Sequence, residues 1–278
     1  MPKFKIVTDS AGQLTADQIT RYNIYVIDLP VTVNGNLYGR VSTINPEAYL
    51  RLLGSSNKPN IEFISPTDLA QIYDELASDG SEIISIHLSS RLINTFEVAQ
   101  QAAEIASATV HVVDSQMASI GLAYQTLAAA KDVEAGKDFE EIKQHLARVL
   151  SHTHSFSSII DNKQLITNKV INRFMGSIED RLNIRYILEF KDNEFKMLRR
   201  TPDMSWVADF WDEQFKFMHQ HEILDINIVH ANDDRRAKQV LDTVQAQFPD
   251  IKINFSIVNP VIANIVGTEA INFTYLTS

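Results

Sequence analysis

The sequence predicts an α/β protein in two domains, the first built on a parallel sheet and the second of the α+β class. Strand and helix signals alternate in the first half, whereas a hairpin followed by mixed strands and helices fills the second half. The length of 278 residues lies near the limit beyond which a single hydrophobic core stops growing. We therefore place the domains at residues 1–152 and 153–278.

Short runs rich in β-branched residues alternate with helical segments in the first half. The predicted strands cover residues 4–8, 25–33, 82–88 and 109–113, with a turn at 34–36 after the second. The predicted helices cover residues 46–53, 67–77, 94–106, 118–135 and 139–150. Asn45 and Ser65 cap the first two helices, and Gly136 ends the fourth. Strands that alternate with helices form a parallel sheet covered on both faces.

The second half has a different order of elements. The predicted strands cover residues 154–160, 185–190, 194–199, 226–230, 251–258 and 270–276. The predicted helices cover residues 163–178, 205–219 and 235–247. Lys191, Asp192 and Asn193 join the second and third of these strands as a hairpin turn. This order indicates an α+β domain.

Charge and composition exclude several functions. The net charge of -10 and the scattered Lys and Arg residues argue against nucleic acid and against anionic membrane surfaces. No apolar run approaches the roughly 18 residues that span a bilayer. The absence of cysteine excludes disulfides and fits a reducing compartment. We expect a cytoplasmic protein that does not insert into membranes.

Polar residues follow three predicted strands, where open α/β sheets place their ligands. These groups lie at residues 8–10, 87–95 and 113–116. Asp9 is either a turn residue or a ligand or base. Asn94 and Thr95 open a helix whose free N–H groups suit an anion, although Asn94 is equally a plain N-cap.

Cofactor and metal motifs are missing from the sequence. It contains no G-x-S-x-G elbow, no Walker loop and no G-x-G-x-x-G. The paired histidines at 152 and 154, and at 219 and 221, stand two residues apart, whereas ligands on one helix face stand three or four apart. We predict no cofactor and no metal.

Four motifs in order resemble the DegV family almost from end to end. They are Lys5-Ile6-Val7-Thr8-Asp9-Ser10, then His87-Leu88-Ser89-Ser90 with Leu92 and Thr95, then Val113-Asp114-Ser115 with Ser119, Gly121 and Leu122, and last Leu182-Asn183-Ile184 with Ile187 and Leu188. The resemblance implies a Rossmann-like first domain, an α+β second domain and a fatty acid held between them. Some members are the fatty-acid-binding subunit of a bacterial fatty acid kinase, without catalytic residues of their own. A separate kinase subunit is thus an expected partner.

This sequence departs from the family pattern at the positions that in the family bind or support the carboxylate of the lipid. Ile61 stands where the family has a carboxylate-binding Thr, Ile93 and Asn94 replace a Ser-Gly pair, Val170 replaces an Arg, and Ile265 replaces a His. Because a buried carboxylate without donors costs several kcal/mol, three outcomes stay open. The helix start at Asn94 and Thr95 holds the carboxylate near solvent, the site accepts a less polar lipid, or aliphatic side chains fill the site.

The resulting hypothesis is a protein that binds a long-chain fatty acid or related lipid and is not an enzyme. Its predicted lipid-binding residues are Ile61, Ser90, Ile93, Asn94, Thr95 and Ile265. The main alternative is a diverged regulatory or protein-interaction subunit that binds no lipid. A third is an enzyme using Asp9, Ser10 and Ser90, which requires a base within reach of a serine.

Overall fold

The computed structural model describes residues 3–55, 59–160, 163–167, 184–231 and 234–278. The described strands are β1 (Phe4–Asp9), β2 (Tyr25–Ile27), β3 (Pro30–Val33), β4 (Asn36–Arg40), β5 (Pro59–Ile61), β6 (Glu82–His87), β7 (Val110–Asp114), β8 (Thr153–Ile159), β9 (Arg185–Lys191), β10 (Glu194–Thr201), β11 (Ile223–His230), β12 (Ile253–Ile257) and β13 (Ile271–Thr277). The described helices are α1 (Ala16–Arg21), α2 (Pro46–Leu53), α3 (Pro66–Leu76), α4 (Thr95–Ile105), α5 (Ile120–Glu134), α6 (Phe139–His152), α7 (Lys163–Thr167), α8 (Met204–His219), α9 (Asp234–Gln247) and α10 (Pro260–Val266).

The chain divides into two compact units. The first contains Met1–Ile44 and Pro59–Ser151, and the second contains Asn45–Lys58 and His152–Ser278. The predicted linear division differs in the segment Asn45–Lys58, which includes α2. This helix packs against α10, and the Tyr49 hydroxyl donates to Asn264 Oδ1 at 3.4 Å. The cap at Asn45 reports only a local start, so it could not indicate which unit the helix joins.

The first unit contains a parallel sheet in the order β2-β1-β6-β7, as predicted. Its β6 buries Ile83, Ile84 and Ile86 completely, which matches the continuous apolar run of a strand covered on both faces. From the two central strands the chain continues outward in opposite directions, from β1 to β2 and from β6 to β7. The crevice between the carboxyl ends of β1 and β6 is therefore the switch point where such folds bind ligands.

The predicted strand at residues 25–33 is wrong as a single element. It breaks into β2, which joins the parallel sheet, and β3, which joins a second, antiparallel sheet in the order β4-β3-β5. Pro30 begins β3 and has no N–H to donate, so the ladder of the first sheet stops before it. Asn34 and Gly35 form the predicted turn with φ of 52° and 77°, and β4 follows. The exposed side chains of β4 gave no apolar alternation to recognise.

The second unit is the predicted α+β unit. Its mixed sheet has the order β10-β9-β8-β13-β11-β12, in which only β11 and β12 pair in parallel. One core joins this sheet to α8 and α9, with buried Phe156, Phe210, Met218 and Phe273 among its members. The predicted hairpin between β9 and β10 turns at Asp192 and Asn193, whose φ values are 53° and 63°. The predicted helix at 163–178 is described only as α7, and its remainder, with Val170, lies outside the described residues.

Candidate functional site

The carboxyl ends of β1 and β6 carry a buried carboxylate, that of Asp9. Its Oδ1 accepts from the Ala11 amide at 3.0 Å, which makes the turn expected of this residue. Its Oδ2 accepts from the Leu88 amide at 3.0 Å and lies 3.2 Å from His87 Nδ1. Asp9 therefore ties the loop after β1 to the loop after β6 across the switch point.

A chain of buried hydrogen bonds continues from Asp9 into the unit. Ser85 Oγ lies 2.8 Å from His87 Nε2 and 2.8 Å from the Tyr73 hydroxyl. Ser85 and His87 alternate along β6, so they share the face toward α3. Since the Asp9 carboxylate accepts a hydrogen bond from Nδ1–H, Nε2 of the neutral imidazole accepts from Ser85, and Ser85 accepts from Tyr73. Burial raises the pKa of Tyr73, which keeps its hydroxyl a donor.

A small cavity of about 10 Å³ lies beside this chain of hydrogen bonds, inside the first unit. Its described lining is mostly apolar: Ile27, Leu29, Phe63, Ile64, Leu69 and Val98, with Asp9, His87 and Thr95 as the polar members. Phe63 and Ile64 belong to the loop between β5 and α3, and Phe63 is 36% exposed. The cavity is therefore an apolar space with a polar wall and a loop of apolar side chains at its surface.

Thr95 is the polar lining residue without a partner. It is only 5% exposed, and its Oγ1 has no hydrogen bond within the part of the chain that the structure describes. An unsatisfied buried hydroxyl costs about 1–3 kcal/mol. Ser81, Glu97 and Ser119 of the same unit also have a buried side-chain oxygen without a partner among the described residues, but only Thr95 lines the cavity.

The first backbone amides of α4 also lack hydrogen-bond acceptors among the described residues. Asn94 occupies the N-cap position, but its side chain makes no capping bond. The first amide that enters the helix ladder is that of Val98, which donates to the Asn94 carbonyl at 3.0 Å. Among the described residues, the amides of Thr95, Phe96 and Glu97 have no acceptor. Free amides at a helix start form an anion-binding position.

Ser90 and Asp114 pin the next pair of loops together. The Ser90 hydroxyl donates to Asp114 Oδ2 at 2.6 Å, and the Ser90 amide donates to Oδ1 at 3.3 Å. Asp114 Oδ1 also accepts from the Gln116 amide at 2.8 Å. The one hydroxyl proton of Ser90 is thus directed to Asp114 and away from the cavity lining.

The predicted site residues separate into two groups. Thr95 lines the cavity, and Asn94 lies beside it as an exposed residue. Ser90 and Ile93 lie in the loop before α4, and Ile61 is buried in β5, but the described lining contains none of the three. Ile265 is buried in α10 of the second unit. The lipid role of all six residues stays a prediction.

Sequence reasoning missed the importance of Tyr73 and Ser85, and gave His87 only as part of a motif. A usable signal was present, because Ser85 and His87 stand two apart on a buried strand and must point the same way. Tyr73 lies on α3, so only the fold brings it within reach of them.

Ser85, His87 and Asp9 are linked by hydrogen bonds in the serine–histidine–aspartate order of a hydrolase triad, but the serine is not exposed to solvent. Ser85 is fully buried and is not among the residues that line the described cavity. Ser10 Oγ accepts from the Leu29 amide at 3.1 Å. The described residues contain no cluster of three or more side chains suited to a metal ion, and no described helix has the length and apolarity to cross a membrane.

Sequence and structure comparisons point in one direction. A family model described as an uncharacterised protein of the DegV family matches residues 3–278. A DegV domain-containing protein of Streptococcus pneumoniae is 29% identical over 247 residues, 88% of each chain. A fatty-acid-binding DegV family protein from Thermus thermophilus has a TM-score of 0.87 at 22% identity, over 99% of this chain and 100% of its own. The fatty-acid-binding DegV of Bacillus subtilis has a TM-score of 0.84 at 20% identity, over 100% of both chains.

Proposed function

The chain belongs to the DegV family, and we propose that it binds a long-chain fatty acid or a related lipid. The acyl chain enters the cavity of the first unit, and the carboxylate lies at the start of α4. The observation that carries this proposal is the buried, partnerless Thr95 hydroxyl at the wall of an apolar cavity. Relatives of the same fold that are described as fatty-acid-binding proteins support it.

The start of α4 provides hydrogen-bond donors for a carboxylate, which the aliphatic residues Ile61, Ile93 and Ile265 cannot provide. Three free amides and the Thr95 hydroxyl are donors, and the helix dipole favours a negative charge at this end. Asn94 is exposed there, so the carboxylate keeps part of its hydration and avoids the full cost of burial. This is the first of the three outcomes that the sequence left open.

The apolar lining provides the larger share of the binding free energy. Each buried methylene contributes about 0.8 kcal/mol, so a 16-carbon chain gains about 10 kcal/mol before its losses of entropy. The cavity of about 10 Å³ is far smaller than the roughly 300–1,000 Å³ common for ligand sites. We therefore propose that Phe63 and Ile64 move outward as the chain enters.

The chain acts in this proposal by binding and not by a reaction of its own. A separate kinase subunit that phosphorylates the presented carboxylate is the proposed partner, and the lack of a phosphate-binding loop motif in this sequence supports a division of labour. The absence of cysteine supports the cytoplasm as the proposed location.

The test is extraction of the purified protein with organic solvent, followed by mass spectrometry, and displacement of a fluorescent fatty acid by palmitate and oleate. We expect a retained acyl lipid or micromolar displacement. Val98→Leu obstructs this narrow space and should weaken displacement at least tenfold, whereas Ile105→Leu on the exposed end of the same helix should not. A wild-type protein that neither retains nor binds an acyl lipid refutes the proposal and favours the diverged regulatory subunit.

A further inference from the structure

Two of the buried oxygen atoms without a partner belong to the first turn of α4, to Thr95 and Glu97. Glu97 Oε2 is an acceptor, and it receives no hydrogen bond from any described residue. The two residues are two positions apart, so they lie on different sides of the helix and flank its open end. A carboxylate bound to the free amides of this turn would therefore lie beside a second carboxylate.

Glu97 is placed to reach that bound group. It is the third residue after the N-cap residue, Asn94. Side chains of a helix lean toward its N-terminus, and a Glu at this position commonly reaches back to the amide of the N-cap residue. Glu97 Oε2 makes no such bond, although it is buried. A head group at the open end of α4 thus meets an acceptor that still needs a donor.

The elements around Glu97 contain no Lys or Arg to offset two carboxylates. Helix α4 packs against α3, β6 and β7, and these four described elements carry acidic groups but no Lys or Arg. The nearest cation along the chain is Arg91, which is exposed in the loop before α4. The histidines of the two strands each contact another carboxylate, His87 that of Asp9 and His111 that of Glu82. The other titratable groups on these elements are acids and one tyrosine: Asp68, Tyr73, Asp74, Glu75, Glu104 and Asp114.

We infer that the lipid carboxyl group binds together with one proton, which it shares with Glu97. Two adjacent carboxylates do not both stay ionised, so a proton between them takes the place of the missing cation. The lipid carbonyl oxygen accepts from the amides of the helix start and from Thr95, and the lipid hydroxyl donates to Glu97 Oε2. Glu97 then selects a head group that both accepts and donates. This inference rests on the proposed function and specifies the form of the acid that the site binds.

The test measures the affinity for palmitic acid at pH 7 and pH 8, by displacement of a fluorescent fatty acid whose own affinity is determined at each pH. A free carboxylic acid is ionised in this range. Binding therefore takes up one proton and should weaken about tenfold for one unit of rising pH. Palmitamide accepts and donates without taking up a proton, so it should bind equally at both pH values. Methyl palmitate only accepts and should bind at least tenfold more weakly than palmitamide.

Glu97→Gln is the decisive variant, because a glutamine amide donates to an ionised carboxylate. Palmitic acid should bind to it at pH 8 at least tenfold more tightly than to the wild type, and the pH dependence should disappear. Glu104→Gln is the matched control, since it removes an exposed charge near the other end of the same helix. It should leave both affinities unchanged.

An affinity of the wild type for palmitic acid that changes less than about threefold between pH 7 and pH 8 overturns the inference and leaves the proposed function intact. A pH dependence that persists in Glu97→Gln, or that palmitamide shares, assigns the proton to another group and also overturns it. Failure of palmitic acid to bind at either pH overturns the inference together with the proposed function. If Glu97→Gln does not fold, the comparison of palmitic acid with palmitamide in the wild type decides.

Discussion

Helices α3 and α4 pack against each other in the first unit, but they differ in whether their capping side chain and their buried hydroxyl are hydrogen-bonded. In α3 the Ser65 hydroxyl caps the helix by accepting from the Asp68 amide at 3.1 Å, and the buried Tyr73 hydroxyl bonds to Ser85. In α4 the Asn94 side chain caps nothing, and the buried Thr95 hydroxyl has no partner among the described residues. One helix has its polar groups satisfied within the protein, and we propose that a ligand satisfies those of the other.

The largest expected effect tests the complete helix. Ser85→Ala removes the hydroxyl that joins Tyr73 to His87 and leaves two buried polar atoms without partners. We expect the free energy of unfolding to fall by about 3 kcal/mol, measured by urea denaturation. A loss below about 1 kcal/mol would mean that the hydrogen-bond chain of α3 is no more satisfied than the start of α4.

Thr95→Val should act in the opposite direction on stability. It replaces a partnerless buried hydroxyl by a methyl group of the same shape, so the ligand-free protein should gain about 1 kcal/mol. Fatty acid binding should weaken about tenfold, since the carboxylate loses a donor. Thr126→Val is the matched control, because that buried hydroxyl donates to the Leu122 carbonyl at 2.8 Å and its loss should destabilise. A destabilised Thr95→Val would show that the hydroxyl has a partner within the protein.

The two caps should differ by a smaller amount. Ser65→Ala removes a working cap and should cost about 1 kcal/mol in denaturation experiments. Asn94→Ala removes a side chain that caps nothing and should change stability by less than about 0.5 kcal/mol. Equal losses in the two variants would contradict the proposal that α4 leaves its first amides open for a ligand.

The contrast between these helices also marks the limit of sequence reasoning. Ser65 and Asn94 both precede helices, and local pattern predicts a cap at each. The φ and ψ of Asn94, -91° and 26°, lie outside the extended region of Ser65, at -70° and 149°, and this difference arises from the loop after β6. Local periodicity likewise predicted the parallel sheet and the hairpin turn at Asp192 and Asn193. It could not show that Ser85 and Tyr73 meet, because strand and helix are joined only by tertiary packing.

The smallest effect concerns the second unit, and it sets the pH at which the helices are best compared. Burial, followed by the nearby charges of Lys191, His221 and His152, lowers the pKa of His154 to about 4 from an ordinary 6.5. The imidazole stacks on Tyr275 with ring centroids 4.7 Å apart. A depressed histidine pKa means that the unfolded chain takes up the proton first. The stabilisation is therefore complete above pH 6.5 and is lost as the pH falls toward 4.

Because His154 is partly exposed, solvent screening reduces the loss, and we expect it to stay below about 1 kcal/mol at pH 5. His154→Phe retains the stacking but cannot be protonated, so its melting temperature should change less than that of the wild type between pH 7 and pH 5. An unchanged pH dependence would assign the loss to another group. In either case the variants of α3 and α4 are compared most cleanly at pH 8, where this histidine contributes no difference.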